Sequence, residues 1–132
     1  MIIPHLHFCG DCSSAIALYE KAFDTKVNEI VRNHDYNAEK YFGDTQIAHA
    51  NMKVHGQTIF LNDNEFFANK NNSTNFPVHL IIQFKTAKEL LACYEILKSD
   101  DATSYPFEKA AYSELVGNFM DKFGIWWGFM VA

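Results

Sequence analysis

Alternation of apolar and polar residues divides the chain into two stretches with the same order of elements. At the start, Leu6 and Phe8 fall on one face of an extended segment, while Ile3, His5, His7 and Cys9 fall on the other. That period of two predicts a strand over residues 2–9. The period then lengthens: Cys12, Ile16, Tyr19 and Phe23 make one apolar stripe at helical spacing, with Asp11 standing where an N-cap would. Lys26–Asn33 and Thr45–Val54 alternate again as strands around a polar hairpin holding Asp35, Asn37, Glu39 and Gly43. Gly56 marks a turn, and Thr58–Asn62 reads as a further short strand.

The second stretch repeats this order. Val78–Phe84 alternates as a strand, and Thr86-Ala87-Lys88-Glu89 is a capping box ahead of a helix. Ala87, Leu90, Tyr94 and Leu97 form that helix's buried stripe. Strands follow around Thr103–Pro106, Ala110–Asp121 and Ile125–Val131, with the last turn at Phe123-Gly124. Short passages also recur: His5-Leu6-His7-Phe8 and Ala15-Ile16-Ala17-Leu18-Tyr19-Glu20 return as His79-Leu80-Ile81-Ile82 and Leu90-Leu91-Ala92-Cys93-Tyr94-Glu95. A repeat of about 60 residues is too long for a solenoid unit and predicts duplicated halves of one domain. Module 1 spans about 1–62, an Asn-rich linker 63–76, and module 2 about 77–132. Phe66 and Phe67 in the linker are apolar enough to pack locally or to cover a cleft. One helix followed by three strands implies an α+β fold. Its two βαβββ modules form a curled mixed or antiparallel sheet around a central cleft.

Composition narrows the function classes. A formal charge of −5 lacks the clustered Lys and Arg that nucleic acid requires. No apolar run approaches the 18 or so residues of a membrane span. The first residues, Met1-Ile2-Ile3-Pro4-His5, lack a basic segment followed by an apolar one. A cytoplasmic protein with three reduced cysteines is therefore expected, and Asn72-Ser73-Thr74 carries no glycan in that setting.

Three stretches carry a resemblance. The first is Pro4-His5-Leu6-His7-Phe8 with Gly10 and Cys12 before Tyr19-Glu20-Lys21-Ala22-Phe23. The second is Ile47-Ala48-His49-Ala50-Asn51-Met52-Lys53-Val54 with Gly56 and Asn62-Asp63. The third is Asn118–Gly128. Together they resemble the vicinal oxygen chelate superfamily, and within it the PhnB-like branch of glyoxalase/bleomycin-resistance proteins. The resemblance covers nearly the whole chain and implies a homodimer. Some relatives carry a methyltransferase label, but no Gly-rich nucleotide loop follows a strand here.

Metal-dependent members of the superfamily place one His on the first strand of each half and one carboxylate on the last. By that pattern His79 is the ligand of module 2, and His5 or His7 that of module 1. The carboxylate positions fall on Gly128 and on about Phe60 or Leu61, with Asn62 and Asp63 just beyond, so no acidic donor stands there. His5, His7 and Cys9 share a strand face, and His5, His7 and His79 could alternatively hold a zinc ion between them. Otherwise these histidines line a polar cleft. His34, His49 and His55 read as surface or sheet residues.

Cys9-Gly10-Asp11-Cys12 has dithiol spacing at a helix N-terminus, where the dipole would lower a thiol pKa. Cys12 on the apolar stripe has a packing role that competes with this, and Cys93 reads as buried and inert. In the last strand Trp127 and Phe129 share a face that, by the pattern of the resembled family, packs under the helices, which leaves Trp126, Gly128 and Met130 to the cleft, and Tyr112 with Glu114 shares another face. A small-molecule site is expected from His5, His7, His79, Tyr112, Glu114 and Trp126, with no cofactor. The alternatives are a divalent-metal lyase, isomerase or dioxygenase using His79 with His5 or His7, and thiol redox chemistry at Cys9 and Cys12.

Overall fold

The computed structural model describes residues 1–32, 46–64, 78–99 and 104–132. The expectations for the polar hairpin, His34, Phe66, Phe67 and Asn72-Ser73-Thr74 lie outside those residues, as does most of the linker. The chain divides into two compact units, Met1–Asn71 and Asn72–Ala132.

Module 1 runs β1 (His5–Phe8), α1 (Cys12–Ala22), β2 (Val27–Arg32), β3 (Ile47–Val54) and β4 (Gln57–Asp63). Module 2 runs β5 (Leu80–Phe84), α2 (Ala87–Leu97), β6 (Ser104–Ala110), β7 (Ser113–Met120) and β8 (Trp126–Val131). Each module is therefore βαβββ and forms its own four-stranded sheet, in the orders β1-β4-β3-β2 and β5-β8-β7-β6. Both sheets are mixed. The first and last strands of each module pair parallel, and the other pairs are antiparallel. Among the described residues no helix is long and apolar enough to cross a membrane.

Helix and strand periods meet where the sequence places them. Cys12, Ala15, Ile16, Tyr19 and Ala22 are buried along α1, and Leu6, Phe8, Met52, Val54, Ile59 and Leu61 are buried in its sheet. In module 2 the core is an aromatic chain. Tyr94 of α2 meets Phe107 and Phe119 edge-on at 4.8 and 4.9 Å, and Phe129 meets Phe119 and Phe84 at 4.9 and 4.8 Å. Such pairs add about 1 kcal/mol each beyond their buried area. Cys93 joins the buried stripe of α2, and burial pushes its thiol up to about 12.

Turn chemistry sets the strand ends. His55 and Gly56 have φ of 48° and 82° between paired Val54 and Gln57, the two-residue hairpin geometry that needs positive φ at both positions. The strand expected over Ala110–Asp121 is broken by a turn at Ala111-Tyr112, and its first residue belongs to β6. Asp63 is the last residue of β4 and not part of a linker.

One expected cap is replaced. Asp11 is the N-cap residue of α1, but its side chain makes no capping hydrogen bond. The carboxylate of Asp63, only 5% exposed, does that work from the end of β4. Its Oδ1 accepts from the N–H groups of Gly10 (2.8 Å) and Cys12 (3.0 Å), and its Oδ2 from the N–H of Ile47 (3.0 Å). One side chain thus ties together the β1–α1 turn, the start of β3 and the end of β4. At α2 the expected cap holds, with Thr86 Oγ1 accepting from the N–H of Glu89 at 3.1 Å.

Asp63→Ala would leave buried N–H groups without their acceptor, at about 1–3 kcal/mol for each group stranded. We expect a total loss of about 3 kcal/mol in urea unfolding, a smaller loss for Asp63→Asn, and an unchanged midpoint for neither.

Candidate functional site

The face of module 1's sheet opposite α1 gathers most of its imidazoles. Alternation sends Leu6 and Phe8 toward the helix, and therefore sends His5 and His7 to the other side. The register then sets their neighbours: His5 opposite Phe60, His7 opposite Asn62, Phe60 opposite Asn51, and Asn51 opposite Glu29. The rings of His5 and His7 lie 4.2 Å apart between centroids. Phe60 is flanked edge-on by two imidazoles, His5 at 5.9 Å and His49 at 4.8 Å.

Hydrogen bonds define how this face presents itself. His7 Nδ1 lies 2.7 Å from Asn62 Oδ1. With that oxygen as acceptor, Nδ1 carries the proton, so a neutral His7 offers Nε2 as its acceptor. Asn51 donates to Glu29 at 3.3 Å and accepts from Asn28 at 2.9 Å, while Glu29 lies 3.8 Å from His49 Nε2. Partial burial holds the His5 pKa below the ordinary imidazole value, and the neighbouring His7 and His49 lower it further, against a raising hydrogen bond with Asn62. At neutral pH this histidine is an uncharged imidazole.

Module 2 presents a different arrangement. Gly128 of β8 pairs with Ile81 on one side and Asn118 on the other, and His79 lies just before β5. A Cβ on Gly128 would meet His79 Cδ2 at 2.9 Å, His79 Nε2 at 3.0 Å and Asn118 Oδ1 at 3.0 Å. The backbone there is not left-handed, so the glycine answers a need for space rather than for an unusual φ. Trp126 is half-buried at the start of β8, opposite Met120. Tyr112 lies in the β6–β7 turn, 71% exposed, and Glu114 is exposed at the start of β7, at the far end of that strand from Asn118. The structure brings His5 and His7 together; it does not bring Tyr112 and Glu114 to His79.

The acidic groups near these positions are engaged elsewhere. Asp63 holds three backbone N–H groups, as described above. Asp121, 2% exposed, accepts from the N–H groups of Phe123 and Ile125 and from Trp127 Nε1–H at 2.9–3.0 Å. Among the described residues no group of three or more His, Cys, Asp or Glu side chains could hold a metal ion. In the strand register Phe60 and Gly128 stand opposite His5 and Ile81 at the last strands of the two modules.

The register also corrects the internal alignment. The N–H of Asn64 bonds the Phe8 carbonyl, and the N–H of Ala132 bonds the Phe84 carbonyl in the same way. Counting back from these bonds makes Phe60 equivalent to Gly128 and His5 equivalent to Ile81. The equivalent of His79 is then Ile3, not His5 or His7. The cause is in the connections: three residues, Cys9–Asp11, join β1 to α1, whereas Lys85 and Thr86 alone join β5 to α2. Module 1 accommodates its extra residue at Gly10, with φ of 94°.

The thiol reading is corrected at Cys12. The residue is fully buried, and burial followed by the charges of Asp63 and Asp11 raises its pKa, opposite to the lowering a helix dipole alone would give. Neither Cys9 nor Cys12 is in a disulfide. His49 matches the resembled branch's pattern, but the sequence assigns it no role among these residues. Its phase within β3 was available, but its neighbours His5 and Phe60 come from the register of three strands.

The sequence model of the 3-demethylubiquinone-9 3-methyltransferase family matches residues 1–130. The chain belongs to that family. Protein YjdN of Escherichia coli K12 is 26% identical over 135 residues, spanning 94% of this chain and 90% of its own. The PhnB protein from Bacillus cereus superposes with a TM-score of 0.81 at 24% identity, covering 99% of this chain and 98% of that one. A bleomycin-binding protein, in its complex with bleomycin, matches with a TM-score of 0.60 at 12% identity over 100% of this chain and 98% of its own. The fold of this member of the 3-demethylubiquinone-9 3-methyltransferase family is that of the glyoxalase/bleomycin-resistance/dioxygenase superfamily.

The lowered His5 pKa makes a signed prediction. Below about pH 6.5 the unfolded chain takes up the His5 proton more readily than the folded one. The stability His5 supplies is therefore complete above that pH and is lost as the pH falls through the folded value. In an NMR titration His5 should have a midpoint below 6.5, moving up in His49→Gln; a midpoint that stays in place would contradict the coupling.

Proposed function

We propose that this chain is a small-molecule-binding protein of the PhnB-like, glyoxalase/bleomycin-resistance type, working without the superfamily's His-and-carboxylate metal. The observation that carries this reading is the set of side chains around Phe60. An aromatic ring is flanked by two imidazoles, one of them held neutral, with the His7–Asn62 pair beside them. Such a face offers stacking surface and hydrogen-bond acceptors rather than fixed positive charge. Together with Glu29 and a net charge of −5, it suits a planar aromatic cation. A fold neighbour that binds bleomycin, a large polar ligand, supports the same class. The reading includes a cytosolic homodimer, as the family pattern implies, and light scattering at twice the chain mass checks the dimer.

The probe is proflavine, a planar aromatic cation, titrated calorimetrically at neutral pH, with metal-free bleomycin as a second ligand. Saturable binding of either is expected. Phe60→Ala should weaken it at least tenfold, about 1.4 kcal/mol, with His5→Gln intermediate and both variants folded by circular dichroism. Wild-type affinity in Phe60→Ala, or no binding of either probe, would sink the proposal.

A further inference from the structure

We propose that module 2 carries a self-filled ligand position, in which the His79 imidazole is seated on Gly128 as an internal plug and does not serve as a metal ligand. The argument starts from Gly128. Its backbone would accept any residue, and it is buried in the centre of β8 between β5 and β7, so the missing side chain must be explained by what lies above it. Two atoms of the His79 ring and the amide oxygen of Asn118 lie within 3.0 Å of the point where a Cβ would stand. The 2.9 Å approach is closer than real Cβ atoms come and the two at 3.0 Å are tighter than nearly all, so the ring or the amide would have to shift to admit a side chain. The glycine is therefore the floor of a seat that the imidazole occupies.

This placement conflicts with a role for His79 in the superfamily's metal set. The position that would supply a carboxylate is the position the ring itself covers, so an acid at 128 would require the His79 ring to leave its observed place. Nε2, one of the two nitrogens through which an imidazole ligates, is one of the atoms turned onto the glycine. The acid next in line, Asp121, is committed to two backbone N–H groups and Trp127. The inference concerns module 2 alone and stands whether or not the Phe60 face of module 1 binds a ligand.

A double-mutant cycle tests the seat directly. Gly128→Ala should lower the urea midpoint of the wild-type protein and shift the His79 ring resonances, and the same change in a His79→Ala background should cost clearly less. Equal costs in both backgrounds would overturn the proposal. Because Gly128→Ala could fail to fold, a second readout uses the unaltered protein: a nuclear Overhauser effect between His79 Hδ2 and Gly128 Hα is expected, and its absence counts against the seat. A cobalt(II) titration supplies the metal arm. His79→Ala should leave the cobalt affinity within about twofold of wild type, and a loss of tenfold or more would make His79 a ligand after all.

Discussion

The parallel pairing of the first strand with the last is the constraint on which each module depends. Strands that run antiparallel can be joined by a two-residue turn, as β3 and β4 are through His55-Gly56. A parallel partner cannot be reached that way, so the chain must cross from one end of the sheet to the other. In each module the helix and two further strands make that crossing. The helix then covers one face of the sheet, and the opposite face is left to carry polar chemistry. His5 and His7 stand on that face for the same reason that Leu6 and Phe8 do not: the parallel register with β4 fixes which residues look toward α1.

Register must be held from the ends, and in module 1 a carboxylate holds it. Asp63 ends β4 beside Phe8, its parallel partner, and binds the turn after β1 and the first residue of β3 at once. Asp121 plays a comparable part in module 2, holding the β7–β8 turn and the indole of Trp127. Recruiting either acid to an ion would strand buried donors at about 1–3 kcal/mol each. The acids at these two sheet ends are engaged with backbone N–H groups and an indole, and so serve the fold itself.

Much of this was legible in the sequence, and the illegible part has a definite cause. Periods of two and 3.6 placed both helices and put Trp127 and Phe129 on one face, because burial on one side is what those periods record, and the family pattern supplied which face is the buried one. Alternation cannot distinguish a strand from the same strand shifted by two residues, since both put the same side chains on the same face. Matching His5-Leu6-His7-Phe8 with His79-Leu80-Ile81-Ile82 fell into that ambiguity, and only the backbone bonds at Phe8 and Phe84 resolve it. His49 was hidden for a related reason: its neighbours come from β1 and β4, whose register no local pattern encodes. For Cys12 the apolar stripe already carried the packing role that the structure shows; what the sequence did not show is that burial, and after it Asp63 arriving from 51 positions away, outweighs the helix dipole at its thiol.

The corrected alignment gives the two modules a common feature that the repeat itself concealed. Phe60 and Gly128 occupy the same register position, opposite His5 and Ile81. In module 1 the position supplies its own aromatic ring, gripped between His5 and His49. In module 2 it supplies none, and the ring of His79 is laid over the vacancy. Either way an aromatic side chain stands over the strand where the superfamily's metal-dependent pattern would put an acid. The two solutions differ in consequence. A phenyl ring fixed to its own backbone packs edge-on against imidazoles from two neighbouring strands, whereas an imidazole used as the filler has one edge turned onto the strand. Duplicated modules with the same strand order have thus diverged at one register position, one filling it with its own ring and the other with the ring of a neighbouring residue.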